Sequence, residues 1–589
     1  MNRTPYYIYL TALLLTIGAA TPLHAQTIRG NIYGGGQLAQ VVGNTMVEVS
    51  TGEVAEDVYG GGALANVDGN TEVNLYGGAV GTAFGGGLGQ IADAGAGKAA
   101  VAALVTGNTT VTLGKEIDNG DGTKSYTASQ VTGDGIFGAN NQNGTPQGHV
   151  FVHVLKTTPR STNSGENPRN VPGNTDSYDV PSVYGGGNLS AYEPSQATFD
   201  AEKGYAEVLI ENCDNSIAYV YGGGNAAPVP ATDVTVYGAD AIDYLFGGGN
   251  GSGAGNPGAN IGLKTDNKTA YGAGTVNVNI YGGTIHEVFG GSNTKGLIRT
   301  SANVNVAGDP DETDDIFPCD LNVGNVHGGG NRADMLCGGT ITLGCTQGVD
   351  VVYAGAEAAD IHGDINLTIA SGTYTKVFGG NNLSGNVHGS IKINIDETGC
   401  YPIIIGSLYG GGNLAAYSIY GYNDDGSPKT SGADPEDDPA INIYSCTSIG
   451  NIYGGGYGAT AKMYGNPRIN VNMLEGVFAG QDMPADQYYI LNNAGERVLN
   501  TAGTIPNAIG TIGYIYGGGE QAAIEGDTYV NICTEATTKH IGSSDEGVTP
   551  KANITGDVYG GGKGAFDVGG NLIDAYVSGS TNVKIGKDK

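Results

Sequence analysis

Hydrophobic and polar residues alternate over short runs along most of this chain, as in Val276-Asn-Val-Asn-Ile280, Ile365-Asn-Leu-Thr-Ile369, Ile391-Lys-Ile-Asn-Ile395, Ile469-Asn-Val-Asn-Met473 and Val583-Lys-Ile585. A period of two with β-branched residues predicts half-buried strands. No stretch after residue 25 sustains an apolar period near 3.6, and Gly or Asn interrupts most longer runs, so helix is predicted to be nearly absent.

Between these strands a second element recurs, an aliphatic residue, an aromatic residue and a run of glycines. Aromatic-Gly-Gly-Gly begins at Tyr33, Tyr59, Phe84, Tyr184, Tyr221, Phe246, Tyr409, Tyr453, Tyr516 and Tyr559, with near-copies at Tyr76, Tyr281, Phe289 and Phe378. The spacing is 26 residues from Tyr33 to Tyr59 and 25 from Tyr59 to Phe84, from Tyr221 to Phe246 and from Tyr353 to Phe378. Tyr33 to Val47, Tyr59 to Val73 and Tyr516 to Val530 are each 14 apart, so the internal geometry repeats as well.

Units of about 25 residues cannot bury their own apolar face, and they predict an all-β chain coiled into a β-solenoid, a right-handed parallel β-helix of roughly 15 to 20 coils. Its rod would be on the order of 70 to 100 Å long at the ordinary strand spacing. The segments near 115–130, 156–181, 251–272, 307–320, 421–440 and 476–510 break the period and read as loop insertions. The alternative is a β-propeller with blades of about 40 to 50 residues, which the longer intervals fit and the 25-residue ones do not.

Adjacent strand residues face opposite sides, so the aliphatic residue before each ring and the ring itself cannot share a face. The aliphatic is expected inward and the aromatic outward, making a solvent-facing ladder of Tyr33, Tyr59, Tyr184, Tyr221, Tyr409, Tyr453, Tyr516 and Tyr559 over a bare glycine floor. Such a ladder is the candidate ligand-binding feature, with sugar rings as the natural partners for aromatic faces. Its structural alternative is a stack that only stiffens the rod.

Residues 1–25 read as a cleaved export signal: Arg3, an apolar stretch from Tyr9 to Ala20, and Thr21-Pro22-Leu23-His24-Ala25 before Gln26. That run is shorter than a spanning helix needs, and no second one follows, so residues 26–589 are expected to contain no membrane span. Against 58 acidic residues stand 26 Lys and Arg, a formal charge of −32, which argues against nucleic acid as a partner and for a self-repelling secreted or surface protein. Seven cysteines are too sparse and odd in number to organise the fold. Cys337 and Cys345 are close enough in sequence to pair, or to sit as small buried residues.

Gly30–Gly36 and Gly450–Gly456 both read Gly-Asn-Ile-Tyr-Gly-Gly-Gly, and 185–192 and 410–417 share Gly-Gly-Gly-Asn-Leu-x-Ala-Tyr. Behind a signal ending Leu-His-Ala-Gln, these motifs resemble large secreted adhesin-like, Gly-rich β-solenoid proteins of Bacteroidetes over most of residues 27–589. The resemblance implies cell-surface placement and attachment to host or matrix glycans or proteins. From the residues read, an autotransporter-type barrel, a wall-sorting tail or a C-terminal secretion domain is not expected. A solenoid that ends on the strand Val583–Ile585 is expected to continue in a longer chain or to be capped by another element.

Catalytic chemistry finds little footing. Parallel β-helices also carry polysaccharide lyases and hydrolases, which makes that class the alternative function. Yet Asp176 and the Asp314-Asp315 pair lie 138 residues apart, and paired carboxylates must sit within roughly 5 to 10 Å to act as acid and base. No catalytic residue is assigned. Calcium is the one cofactor weighed, for the oxygen-rich runs Asp118-Asn119-Gly120-Asp121-Gly122, Asp309 to Asp315 and Asn423-Asp424-Asp425, none of which matches a calcium-loop pattern. The histidines, including His286, His327, His362 and His388, show no zinc spacing, and no metal ligand is assigned. His327 occupies the aromatic slot of a Gly-Gly-Gly unit.

Overall fold

The computed structural model describes residues 26–160, 168–200, 204–252, 258–308, 319–421, 423, 429, 439–478, 481, 488–501, 503–505 and 508–587. The export signal read in residues 1–25 lies outside them.

The chain is an all-β parallel β-helix. Two sheets of 15 strands run its length, and every neighbour in each sheet is the equivalent strand of the next coil. The first sheet carries the aliphatic-aromatic pairs, from Ile32–Tyr33 to Val58–Tyr59 and on to Val558–Tyr559. The second carries the alternating strands, from Thr45–Val49 to Thr581–Ile585. Pairing is parallel and in register, for example Ile365↔Ile391 and Val276↔Ala302, which excludes the antiparallel blades of a propeller. A third side is held mostly by single bridges, including Met335↔Ile361 and Ile361↔Val387. Fifteen coils at strand spacing give a rod about 70 Å long. Helix is confined, among the described residues, to Gln196–Asp200 and one 3-10 turn at Thr175–Ser177.

The sequence pattern maps directly onto burial. In Thr275–Ile280 the residues Val276, Val278 and Ile280 point into the core and alternate with half-buried neighbours. Val58, Val220, Leu245, Val326, Leu408 and Ile515, the aliphatic partners of the rings, face the same central core. Each such side chain contributes about 1.5–3 kcal/mol of burial, so no single coil is stable alone but a stack is.

Polar motifs stitch coil to coil. In Gly43-Asn44-Thr45 and its copies, the Asn44 Oδ1 accepts the Asn70 amide at 2.9 Å, and the Asn70 Oδ1 accepts the Asn108 amide at 2.9 Å. The Thr hydroxyls donate across the coil to the first glycine carbonyl of the next one, Thr45 to Gly60 and Thr71 to Gly85, both at 2.6 Å and buried. The glycine runs are set by this close stacking. A Cβ on Gly35 would lie 2.6 Å from the Gly62 amide nitrogen.

Departures from the period fold outside the coils without shifting register. Lys115–Asp118 and Lys124–Thr127 form an antiparallel hairpin, as do Tyr489–Leu491 and Arg497–Leu499. The second sits beside a satellite cluster of Ile404, Phe478, Tyr488 and Ile505. Disulfides join Cys213 to Cys319 and Cys345 to Cys400. Of the two readings of Cys337 and Cys345, the pairing does not form, because the coil stack brings Cys400 beside Cys345, while Cys337 sits in the aliphatic core as a free, buried thiol.

Candidate functional site

The aromatic residues form one unbroken column of 15 rings, one per strand of the first sheet, from Tyr33 through Phe137, His327 and Tyr353 to Tyr559. Successive centroids are 4.4 Å apart at Phe137–Tyr184 and 5.2 Å at Tyr353–Phe378, with planes tilted only 5° and 4°. His327 fills its slot by stacking 4.4 Å from Phe289 and 4.8 Å from Tyr353. Tyr281 stands outside the column, stacked instead on Tyr237, and Tyr76 lies under the Lys115 ammonium.

The rings do lie on the opposite side of the strand from their aliphatic partners, but they do not face solvent. Tyr59, Tyr184, Tyr221, Tyr409 and Tyr453 are 0–6% exposed, and only the terminal Tyr559 reaches 43%; Tyr33 and Tyr516 are half-buried. The expected solvent-facing ladder is corrected for a physical reason. Interior rings have both faces occupied by the rings above and below, and the residue four positions after a ring of a later coil, such as Asn141 at Tyr59 and Asn293 at Tyr221, bonds the phenol edge.

Those covering residues make a second column. Asn188 donates to Asn141 at 2.9 Å, Asn225 to Asn188 and Asn250 to Asn225 at 2.8 Å, Asn293 to Asn250 at 3.0 Å and Asn331 to Asn293 at 2.9 Å. They also engage the phenols: Asn141 donates to the Tyr59 hydroxyl at 2.8 Å and Asn293 to that of Tyr221 at 3.3 Å. Burial pushes the Tyr184 phenol up to about 12 and that of Tyr221 well above its ordinary value, so neither ionises. The column is a packed second core with an amide rim.

Accessible chemistry lies on the outer face of the second sheet. There Asn442 donates to Asn394 at 3.1 Å, Asn470 to Asn442 at 2.9 Å and Asn531 to Asn470 at 2.9 Å. A carboxamide has two N–H donors and two lone pairs, so each rung keeps a donor and an acceptor beyond those in the ladder. The segment after Cys533 arches over this face and closes a cleft of about 450 Å³ lined by Asn442, Tyr444, Asn470, Asn472, Glu535 and Lys539, together with Asp545. Three contacts fix the arch. Thr538 bridges Val548, Met473 bridges Lys551, and His540 Nδ1 lies 2.6 Å from the buried Asp396 carboxylate, which also accepts the Ile541 amide at 2.6 Å. Sequence reasoning missed this cleft. Its asparagines Asn442 and Asn470 are 28 residues apart, and only the register Asn442↔Asn470 makes them neighbours.

The carboxylates weighed for catalysis do not gather. Asp176 is 84% exposed on the 3-10 turn, 3.6 Å from Arg160, while Asp314 and Asp315 lie outside the described residues. In the first calcium-like run, Asp118 accepts the Gly120 amide at 2.8 Å and Asp121 the Thr123 amide at 2.9 Å, hydrogen bonds of a hairpin turn. The run Asp309 to Asp315 and the residues Asp424 and Asp425 also lie outside the described residues.

Among the described residues, one group that could ligate a metal does assemble. Asp360 and His362 flank the core residue Ile361, and His388 sits one coil above His362 with the rings 4.3 Å apart. His388 Nε2 is 3.7 Å from Asp360 Oδ2, and one ligand atom of each residue lies within 4.8 Å of the others. Desolvation and the adjacent His362 hold His388 below the ordinary imidazole value. The signal was in the sequence as a 26-residue interval, one coil, and not as a His-x-His motif.

No helix among the described residues is long and apolar enough to cross a membrane. Compared with known protein families, curated proteins and solved structures, the chain matches none.

Proposed function

We propose that this is a secreted or cell-surface, non-catalytic scaffold whose role is attachment, and that it holds neutral glycans in the cleft between the second sheet and the arch after Cys533. The observation that carries the reading is the run of ladder asparagines beside Tyr444. Amide donors and acceptors repeating at strand spacing suit a chain of hydroxyls, and a half-exposed aromatic ring suits an apolar sugar face. The formal charge of −32 opposes anionic polysaccharides at long range. Two disulfides fit an oxidising compartment, in agreement with the export signal read in residues 1–25. The adhesin-like resemblance over residues 27–589 points the same way.

Titration calorimetry of the purified protein against a panel of neutral and uronate-rich polysaccharides tests this. Neutral glycans bind, and Tyr444→Ala or the pair Asn442→Ala/Asn470→Ala weakens them about tenfold, or about 1.4 kcal/mol. Failure of the whole panel to bind, or binding untouched by these changes, refutes the reading.

A further inference from the structure

We infer that Asp360, His362 and His388 form a binding site for a divalent transition cation of the zinc class, clamping two neighbouring coils on the third side of the solenoid. This site is separate from the glycan cleft and does not depend on it.

The placement follows from the coil. Met335, Ile361 and Val387 stack as an inward-facing column joined by parallel bridges. The residues on either side of each therefore point outward, so Asp334, Asp360 and Asn386 form one outer column and Leu336, His362 and His388 the next. Two imidazoles and a carboxylate meet only where these columns carry Asp360, His362 and His388.

The geometry is close to what a cation needs. Zinc–nitrogen and zinc–oxygen distances of about 2.0–2.2 Å in a tetrahedral site place ligand atoms about 3.3–3.6 Å apart. The three atoms here lie within 4.8 Å of one another, so side-chain rotations that bring them about an ångström closer complete the site. The rings are nearly parallel, 16° apart. One ring must turn about its Cβ–Cγ bond to converge, and both are exposed, so no core packing opposes the turn.

The carboxylate is already oriented. Asp360 Oδ1 accepts the Asn386 amide at 2.8 Å, which leaves Oδ2 toward His388, and the Asp360 amide is held by Asp334 Oδ1 at 2.9 Å. Outer partners of this kind fix a ligand and raise its affinity. Two imidazole nitrogens select zinc, nickel or copper over calcium and magnesium, which prefer all-oxygen sites. Three protein ligands leave a coordination position open to water or to a donor from a bound molecule.

The test is titration of chelator-treated full-length protein with Zn²⁺, with Co²⁺ as a spectroscopic probe. One Zn²⁺ binds per chain, Co²⁺ develops a visible d–d band, and Zn²⁺ raises the melting temperature. His362→Ala, His388→Ala and the polar variants His362→Gln and His388→Gln each lower affinity by more than about tenfold and abolish the cobalt band; Asp360→Asn lowers affinity about tenfold. Excess Ca²⁺ does not compete. The inference is overturned if the wild type takes up no Zn²⁺, if the His362→Gln/His388→Gln double variant binds like the wild type, which would assign the metal to Cys533 or to scattered carboxylates, or if Ca²⁺ displaces it.

Discussion

Truncating Tyr221 to alanine removes a ring stacked 4.7 Å from Tyr184 and 5.1 Å from Phe246 and only 3% exposed. Large-aromatic-to-alanine changes in a packed interior cost about 3–5 kcal/mol, of which the two stacked contacts account for about 1–3 kcal/mol. Tyr221→Leu keeps much of the buried area and loses the stacks, so it should cost about 1–3 kcal/mol. Tyr559→Ala, at the exposed end of the column with one neighbour at 5.0 Å, should cost about 1 kcal/mol or less. Global denaturation averages over coils that touch only their neighbours and need not unfold together, so a local readout resolves this change more sharply. Hydrogen exchange resolved by peptide over residues 180–250 reads the local opening free energy instead. Tyr221→Ala should speed exchange there by roughly 10²–10⁴-fold, with Tyr221→Leu intermediate. Equal effects from Tyr221→Ala and Tyr559→Ala, or a Tyr221→Leu protein indistinguishable from wild type, would refute the column as a second core.

Two further outcomes follow from the same geometry. His327 is buried in the column, and loss of its water holds it down to about 3 although Glu357 and Glu287 lie 3.6 and 3.9 Å from its ring nitrogens. The unfolded ring takes up a proton near pH 6.5 that the folded ring refuses, so stability from this residue is present above pH 6.5 and falls by about 2 kcal/mol by pH 5. His327→Phe, which keeps the stack, should remove that part of the acid sensitivity in melts at pH 7 and pH 5; a variant more acid-sensitive than wild type would mean the two glutamates prevail. Replacing Cys213 and Cys319 by serine opens a link spanning 106 residues and should cost about 2–5 kcal/mol, read as a lower melting temperature under oxidising conditions; an unchanged midpoint would show that the bond constrains little.

The legibility of this chain was uneven. The all-β parallel solenoid, the coil of about 25 residues and the inward aliphatic partners of the rings were readable, because strand alternation and repeat spacing are local properties that every coil states again. Hairpins at Lys115–Thr127 and Tyr489–Leu499 sit where the period breaks. The exposure of the aromatic column was not readable: the side of a strand follows from period two, but the cover supplied by Asn188 or Asn225 depends on how a glycine run folds back. Cysteine pairing was not readable for a similar reason, since Cys345 meets Cys400 through coil stacking, while Cys337 takes the buried position that was its other reading.

The sequence alone determined what each residue can do within its own coil: which side it takes, where the chain turns, and how many residues return it to the same place. Tertiary structure alone decided which residues meet between coils. Insertions of variable length separate stacked positions by 26 residues at His362 and His388 and by 61 at Asn470 and Asn531, and the hydrogen-bonded register is what cancels that difference. Aromatic rings that alternation sends outward end inside because stacking at about 4.8 Å leaves their faces no room for water. The amide cleft beside Tyr444 and the cluster of Asp360, His362 and His388 are both made by neighbouring coils.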